Sequence, residues 1–121
     1  MLQHFERQNY FDQNGNPSGG YCRLDTQLPE GKTLHEPAIH VRWQDGPLGR
    51  DENRQAANGA FVETLIDMAR QRIVFYQTAG DGRFSCDENE EAIRHLEEAL
   101  AFLHQRTMKR EARGVEGTHQ A

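Results

Sequence analysis

The chain has 121 residues, 36% hydrophobic and 27% charged, with a mean hydropathy of -0.90: one ordinary domain or two very small ones, with a lean apolar core. No stretch approaches 18 apolar residues, which excludes a transmembrane helix, and the first seven residues lack the charged and apolar blocks of a signal peptide, so a cytoplasmic protein is expected. Fourteen basic against nineteen acidic residues give a formal charge of -5, which argues against bulk DNA or RNA binding, where counterion release demands a broad positive face.

Residues 5–11 read as a first short strand. The run Asn14-Gly15-Asn16-Pro17-Ser18-Gly19-Gly20 is dense in turn formers, and so is Leu28-Pro29-Glu30-Gly31-Lys32. Between them, residues 21–26 predict a strand. Residues 38–43 predict another, because Ile39, Val41 and Trp43 alternate with His40 and Arg42. Together these make a small antiparallel sheet ended by the turn Gln44-Asp45-Gly46-Pro47, in a β-rich region spanning residues 1–55.

From Asn58 the period changes. Phe61, Val62, Leu65, Ile66, Ala69, Ile73 and Tyr76 follow helical spacing, with Asn58 as a candidate N-cap and an end near Gln77. Thr78-Ala79-Gly80-Asp81-Gly82 breaks that helix. Ser85-x-x-Glu88 has the capping-box pattern and opens a second helix. Its stripe is Ala92, Ile93, Leu96, Ala99, Leu100, Leu103 and Thr107, and it stops at Gly114. Two long helices on a short loop form an antiparallel hairpin with a C-terminal tail over residues 56–121. The expected class is therefore α+β, a small antiparallel sheet followed by a two-helix hairpin in one compact unit. A two-helix hairpin cannot enclose its own core, so oligomerisation is expected to complete it.

Twelve of the fourteen cations are arginine, the better residue for forked recognition of phosphate or carboxylate, although composition bias alone also produces that ratio. Cys22 and Cys86 lie far apart and are expected to be reduced thiols. The second helix carries acids at its start and Arg106, Lys109, Arg110 and Arg113 at its end, a pattern that also simply complements the helix dipole. In an antiparallel hairpin those arginines come beside Asn58-Gly59, where free backbone N–H groups would join them in a pocket for a phosphorylated small molecule. At the far end stand Phe75, Tyr76 and Phe84, with Asn89 one turn into the second helix. Rings stack on bases and an Asn amide pairs with adenine, although such residues also serve as packing and caps. Asn89 and Arg106 are seventeen residues apart, roughly 25 Å of helix, so a single ligand using both would take them from different subunits. His35 with His40, and His95 with His104, point to opposite faces and cannot chelate a metal as pairs. There is no Walker loop, GxGxxG or GxSxG, and no catalytic residue, metal or cofactor is expected.

At Trp43-Gln44-Asp45-Gly46-Pro47, Asn58-Gly59-Ala60 with Glu63, and Cys86-Asp87-Glu88-Asn89, the chain resembles a phage family. The likeness is strongest in Ala92-Ile93, Leu96-Glu97-Glu98-Ala99-Leu100, Arg106-Thr107 and Arg113-Gly114-Val115-Glu116-Gly117-Thr118-His119. These residues, within 43–119, resemble the phage anti-Thoeris nucleotide sponges, which share a helical hairpin with the sponges that defeat cyclic-oligonucleotide (CBASS) signalling. The resemblance implies a non-catalytic protein of the host bacterial cytoplasm. It would sequester glycocyclic ADP-ribose, the signal made by TIR-domain defence proteins. It also implies assembly anywhere from dimer to hexamer, with cyclic di- or trinucleotides held at separate inter-subunit sites. By motif, the adenine-stacking ring falls on Phe75 or Tyr76, the base-reading amide on Asn89, and the phosphate-binding arginine on Arg106 with Arg110 and Arg113 beside it. Gly114, Gly117 and Thr118 would line an inter-subunit site. Two departures stand out: the loop over residues 77–83 is long, and Asp87 stands where the family more often has arginine. The alternatives are an adaptor whose hairpin binds a partner protein without nucleotide, and a hydrolase of the same signal.

Overall fold

The computed structural model describes residues 1–25 and 37–121. The turn expected over 28–32, the end of the strand expected at Thr26, and His35 lie outside the described residues. The chain divides into two compact units, Met1–Ala60 with Gly117–Ala121, and Phe61–Glu116. The first is β and the second is the helical hairpin, so the class is α+β as the sequence predicts.

In the β unit, β1 (Glu6–Phe11), β2 (Pro17–Leu24) and β3 (Ile39–Arg42) form one sheet in the order β1-β2-β3, both pairs antiparallel. The first turn is tighter than the density of turn formers suggests. The Asp12 carboxylate accepts the N–H groups of Asn14 at 2.8 Å and Asn16 at 3.0 Å, and the Asn16 carbonyl accepts the Asp12 N–H at 2.9 Å. Those N–H bonds, that of Asn16 foremost, hold the Asp12 carboxyl below the ordinary aspartate range. The reversal is thus complete by Asn16, and residues 17–20 join β2 instead of the turn. A glycine pair makes that possible. Gly20 has φ +148, and a Cβ on it would overlap the Gln8 carbonyl of β1.

Beyond β3, the Trp43 N–H donates to the Gly20 carbonyl at 2.9 Å, and residues 42–44 pair with Ala60 through Ala60 N–H to Arg42 O at 2.7 Å and Gln44 N–H to Ala60 O at 3.0 Å. Asn58 secures the same corner and is not the N-cap that its position suggested. Its Oδ1 accepts the Asp45 N–H at 2.9 Å, its Nδ2 donates to the Asp45 carbonyl at 3.0 Å, and its own N–H donates to Gln44 Oε1 at 2.9 Å. With that amide spent on the turn, the backbone stays extended through Phe61 and the first helix begins later than expected.

In the helical unit, α1 runs Val62–Thr78 and α2 runs Asp87–Ala112. Between them Gly80 and Asp81 take left-handed angles, at φ 60 and φ 57. The expected capping box does not form, because the Ser85 hydroxyl donates back to the Gly82 carbonyl at 2.7 Å and Cys86 is the N-cap without a side-chain bond. A different clamp joins the helices: the Gln77 amide donates to the Cys86 carbonyl at 3.1 Å and accepts the Cys86 N–H at 3.0 Å. The whole α2 stripe, from Ala92 to Thr107, is half-buried. In α1 only Leu65, Ile66 and Ile73 of the stripe are, while Phe61, Val62, Ala69 and Tyr76 stay exposed. Among the described residues no hydrophobic side chain is fully buried, and Phe102 and Met68 are 71% and 64% exposed. No helix among them is long and apolar enough to cross a membrane.

Two tests follow from this packing. Gly20→Ala forces a Cβ against the β1 backbone in a conformation that L side chains rarely adopt, and is expected to destabilise the β unit by about 1–3 kcal/mol in urea unfolding. Arg94 pairs with Glu91 at 2.7 Å and Glu98 at 2.6 Å and, chiefly by hydrogen bonding, holds the Glu91 carboxyl below its ordinary value of 4.5. A lowered folded-state value makes the contribution present above that ordinary value and lost as pH falls through the lower one. Acid titration of the circular dichroism should therefore show a small, salt-sensitive loss of helix below the ordinary glutamate range, and Arg94→Gln should remove it.

Candidate functional site

Three rings crowd the loop end of the hairpin. Phe75, Tyr76 and Phe84 are 51%, 42% and 55% exposed, more than a core role allows. Phe75 and Tyr76 lie 6.0 Å apart between centroids at an interplanar angle of 58°. The Arg72 guanidinium covers both, 4.8 Å from the Phe75 centroid and 5.0 Å from that of Tyr76, and its Nε donates to the Tyr76 hydroxyl at 3.2 Å. Arg83 covers Phe84 in the same way at 4.7 Å. Each pairing is a cation on a π face, and all three ring residues remain exposed. The two arginines were not singled out in the sequence. The i, i+3, i+4 spacing of Arg72 with Phe75 and Tyr76 was the signal that could have found the first of them.

Asn89 sits on the third residue of α2, half-buried, and its side-chain amide has no hydrogen-bond partner among the described residues. The Gln77–Cys86 clamp ties this first turn of α2 to the end of α1 that carries Phe75 and Tyr76. An unspent amide, able to donate and accept, thus belongs to the same end as three exposed rings. The adjacent Asp87, Glu88 and Glu90 make the helix start hostile to phosphate despite its N–H groups.

The cationic end is built differently. α2 has 26 residues against 17 in α1, nine more, and since Gln77 and Cys86 anchor the loop end, residues 104–112 run past the start of α1. Arg106 lies in that stretch, exposed, with no ion-pair or hydrogen-bond partner among the described residues. Arg110 is partly committed: its Nη2 donates to the Val115 carbonyl at 3.1 Å, and its own carbonyl accepts the Val115 N–H at 3.0 Å. Arg113 is the C-cap, and Gly114 at φ +73 takes the left-handed position that ends the helix. At Asn58-Gly59, where free N–H groups were expected, the N–H groups of Asn58 and of the following Ala60 are bonded to Gln44 and Arg42.

Gly117 and Thr118 belong to the β unit. The Gly49 N–H donates to the Gly117 carbonyl at 3.0 Å, and both tail residues border a shallow cleft with Arg50 and Asn53. Of the sequence-derived site residues, then, Phe75, Tyr76 and Asn89 share one end of the hairpin, Arg106, Arg110, Arg113 and Gly114 share the other, and Gly117 and Thr118 belong to the β unit. Among the described residues no group of His, Cys, Asp and Glu could hold a metal ion.

Comparison with known proteins bears on this arrangement. Residues 35–108 match the family model described as Acb2/Tad1, hairpin domain. A relative named Thoeris anti-defense 1, from Bacillus phage SBSphiJ7, is 45% identical over 80 residues. The matched stretch is 66% of this chain and 51% of the relative, so the chain spans about half the length of that curated protein. With the matched model covering both helices up to Met108, the chain belongs to the Acb2/Tad1 hairpin-domain family.

Proposed function

We propose that the chain is a phage anti-defence protein that blocks Thoeris immunity by binding glycocyclic ADP-ribose and withholding it, unaltered, from its effector. Family membership and the name of the phage relative support the class of function. The observation that carries the ligand is the unspent Asn89 amide at the same end of the hairpin as three exposed rings, with Arg106 at the other end. Adenine would stack on Phe75 or Tyr76 and pair with Asn89, and Arg106, with Arg110 and Arg113 as neighbours, would take phosphate oxygens. Since α2 holds the two ends about 25 Å apart, a single ligand draws on two copies of the chain, and the sponge is a homo-oligomer. Gly114, Gly117 and Thr118 would line separate inter-subunit sites for cyclic di- and trinucleotides. The protein acts in the host cytoplasm, where the signal is made, and needs no catalytic residue or cofactor.

Sequestration works by mass action. Draining a sub-micromolar signal requires a dissociation constant of about nanomolar, roughly -12 kcal/mol. Charge-assisted bonds from Arg106 supply about 1.5–3 kcal/mol of that, so Arg106→Ala is expected to weaken binding by about 10- to 150-fold. Calorimetric titration of the purified chain with glycocyclic ADP-ribose, followed by heat denaturation and chromatography, tests the reading. Nanomolar binding with intact ligand recovered supports a sponge, whereas recovery of a changed nucleotide makes the protein an enzyme. No binding, with anti-defence activity abolished by Leu96→Asp but untouched by Arg106→Ala, would leave the adaptor reading in its place. Sedimentation at micromolar concentration should show an assembly larger than the 13.9 kDa chain, and a monomer that binds at nanomolar strength would overturn the two-copy site.

A further inference from the structure

The β unit has a cleft of its own, about 440 Å³, at the size where small-molecule sites begin. Tyr10, Tyr21 and Trp43 are its ring residues, Arg42 its cation, His40 an imidazole beside it, and residues 18–20 part of its wall. The strand register accounts for Tyr21, Arg42 and His40, while Trp43, opposite Gly20, borders the cleft from just beyond the end of β3. Tyr21 stands opposite Arg42, and Arg23 opposite His40, so all four project from one face of the sheet. The neighbouring acids are already engaged: Glu6 accepts the Tyr21 hydroxyl at 3.1 Å and Asp25 pairs with Arg23 at 3.1 Å. Arg42 and His40 are left with no ion-pair or hydrogen-bond partner among the described residues. The third acid, Asp45, accepts the Ser18 hydroxyl at 3.2 Å.

The Asn58 amide is spent on the Asp45 backbone and the Ser18 hydroxyl on the Asp45 carboxylate, which leaves the rings, Arg42, the His40 imidazole and the second Asp45 carboxylate oxygen as the cleft's recognition elements. Rings bind any flat base by its π face, and a guanidinium binds phosphate with a fork. We propose that this cleft is a second ligand site, specific for a nucleoside monophosphate and tolerant of the base, with the ring system held among Tyr10, Tyr21 and Trp43 and the phosphate on Arg42 and His40. The site lies wholly within the β unit and does not depend on the hairpin reading.

Trp43 is the one tryptophan in the chain, so its fluorescence reports this cleft directly. The full-length protein is titrated with AMP, GMP, adenosine and ribose 5-phosphate. AMP and GMP should shift the emission saturably with dissociation constants within about fivefold of each other, and the two fragments should bind at least about tenfold more weakly. Arg42→Gln and Tyr10→Leu, both at exposed positions, should each weaken AMP by about tenfold or more with the circular dichroism unchanged. Arg106→Ala should leave AMP binding as it was, which separates this site from the hairpin. Absence of a saturable shift up to about 5 mM, equal binding by Arg42→Gln, or loss of the shift in Arg106→Ala would each overturn the proposal.

Discussion

Two helices in contact share a single seam, and each keeps most of its circumference in water unless a third element covers it. That constraint governs this chain. The seam of α2 is a run of alanines, leucines and isoleucine that is only half-buried, and α1 answers with Leu65, Ile66 and Ile73. At about 25 cal/mol per Å² of apolar surface removed from water, a half-covered stripe contributes well under what the same residues would in a closed core. Phe102, Met68 and Met108 face outward on top of that. The proposed assembly of several copies is the arrangement in which such surfaces would be covered.

With little burial to order it, each unit relies on side chains that tie up backbone. The Gln77 amide closes the hairpin loop on Cys86, Asn58 closes the corner at Asp45, Asp12 closes the first turn, and Arg110 holds the chain as it leaves α2. Each of these side chains satisfies polar backbone groups that would otherwise depend on water. The same economy decides which polar groups remain for recognition. Asn58 and Ser85 look like helix caps in the sequence but are spent elsewhere, while Asn89 and Arg106, on a plain helix with no turn to serve, keep their side chains open.

Chemistry and position divide cleanly along α2. Its first turn is acidic and its last turns basic, which complements the helix dipole and at the same time confines any phosphate recognition to the C-terminal end. The aromatic end keeps its exposed rings under two guanidinium groups, Arg72 and Arg83. Asp87 adds to the acid of that first turn. A ligand whose base meets the aromatic end of one copy and whose phosphates meet the cationic end of another uses both ends, which is the physical basis of the sponge proposal.

The α+β class, the three strands and both helices were legible in the sequence, because period-2 and period-3.6 patterns record which face of an element is apolar, and that is a local property. Membership in the hairpin family was legible for a similar reason, in strings such as Leu96-Glu97-Glu98-Ala99-Leu100. The aromatic and cationic ends of the hairpin could also be read, since helix spacing alone places Asn89 and Arg106 seventeen residues apart. What only the tertiary structure decided was where each polar side chain spends its hydrogen bonds. Whether Asn58 caps a helix or clamps a turn, whether Ser85 reaches forward to Glu88 or back to Gly82, and whether the face of β3 bearing His40 and Arg42 is open or already paired depend on partners brought from distant positions. Capping patterns describe what a side chain can do within one turn, and the competing partner thirteen residues away at Asp45 is invisible to them.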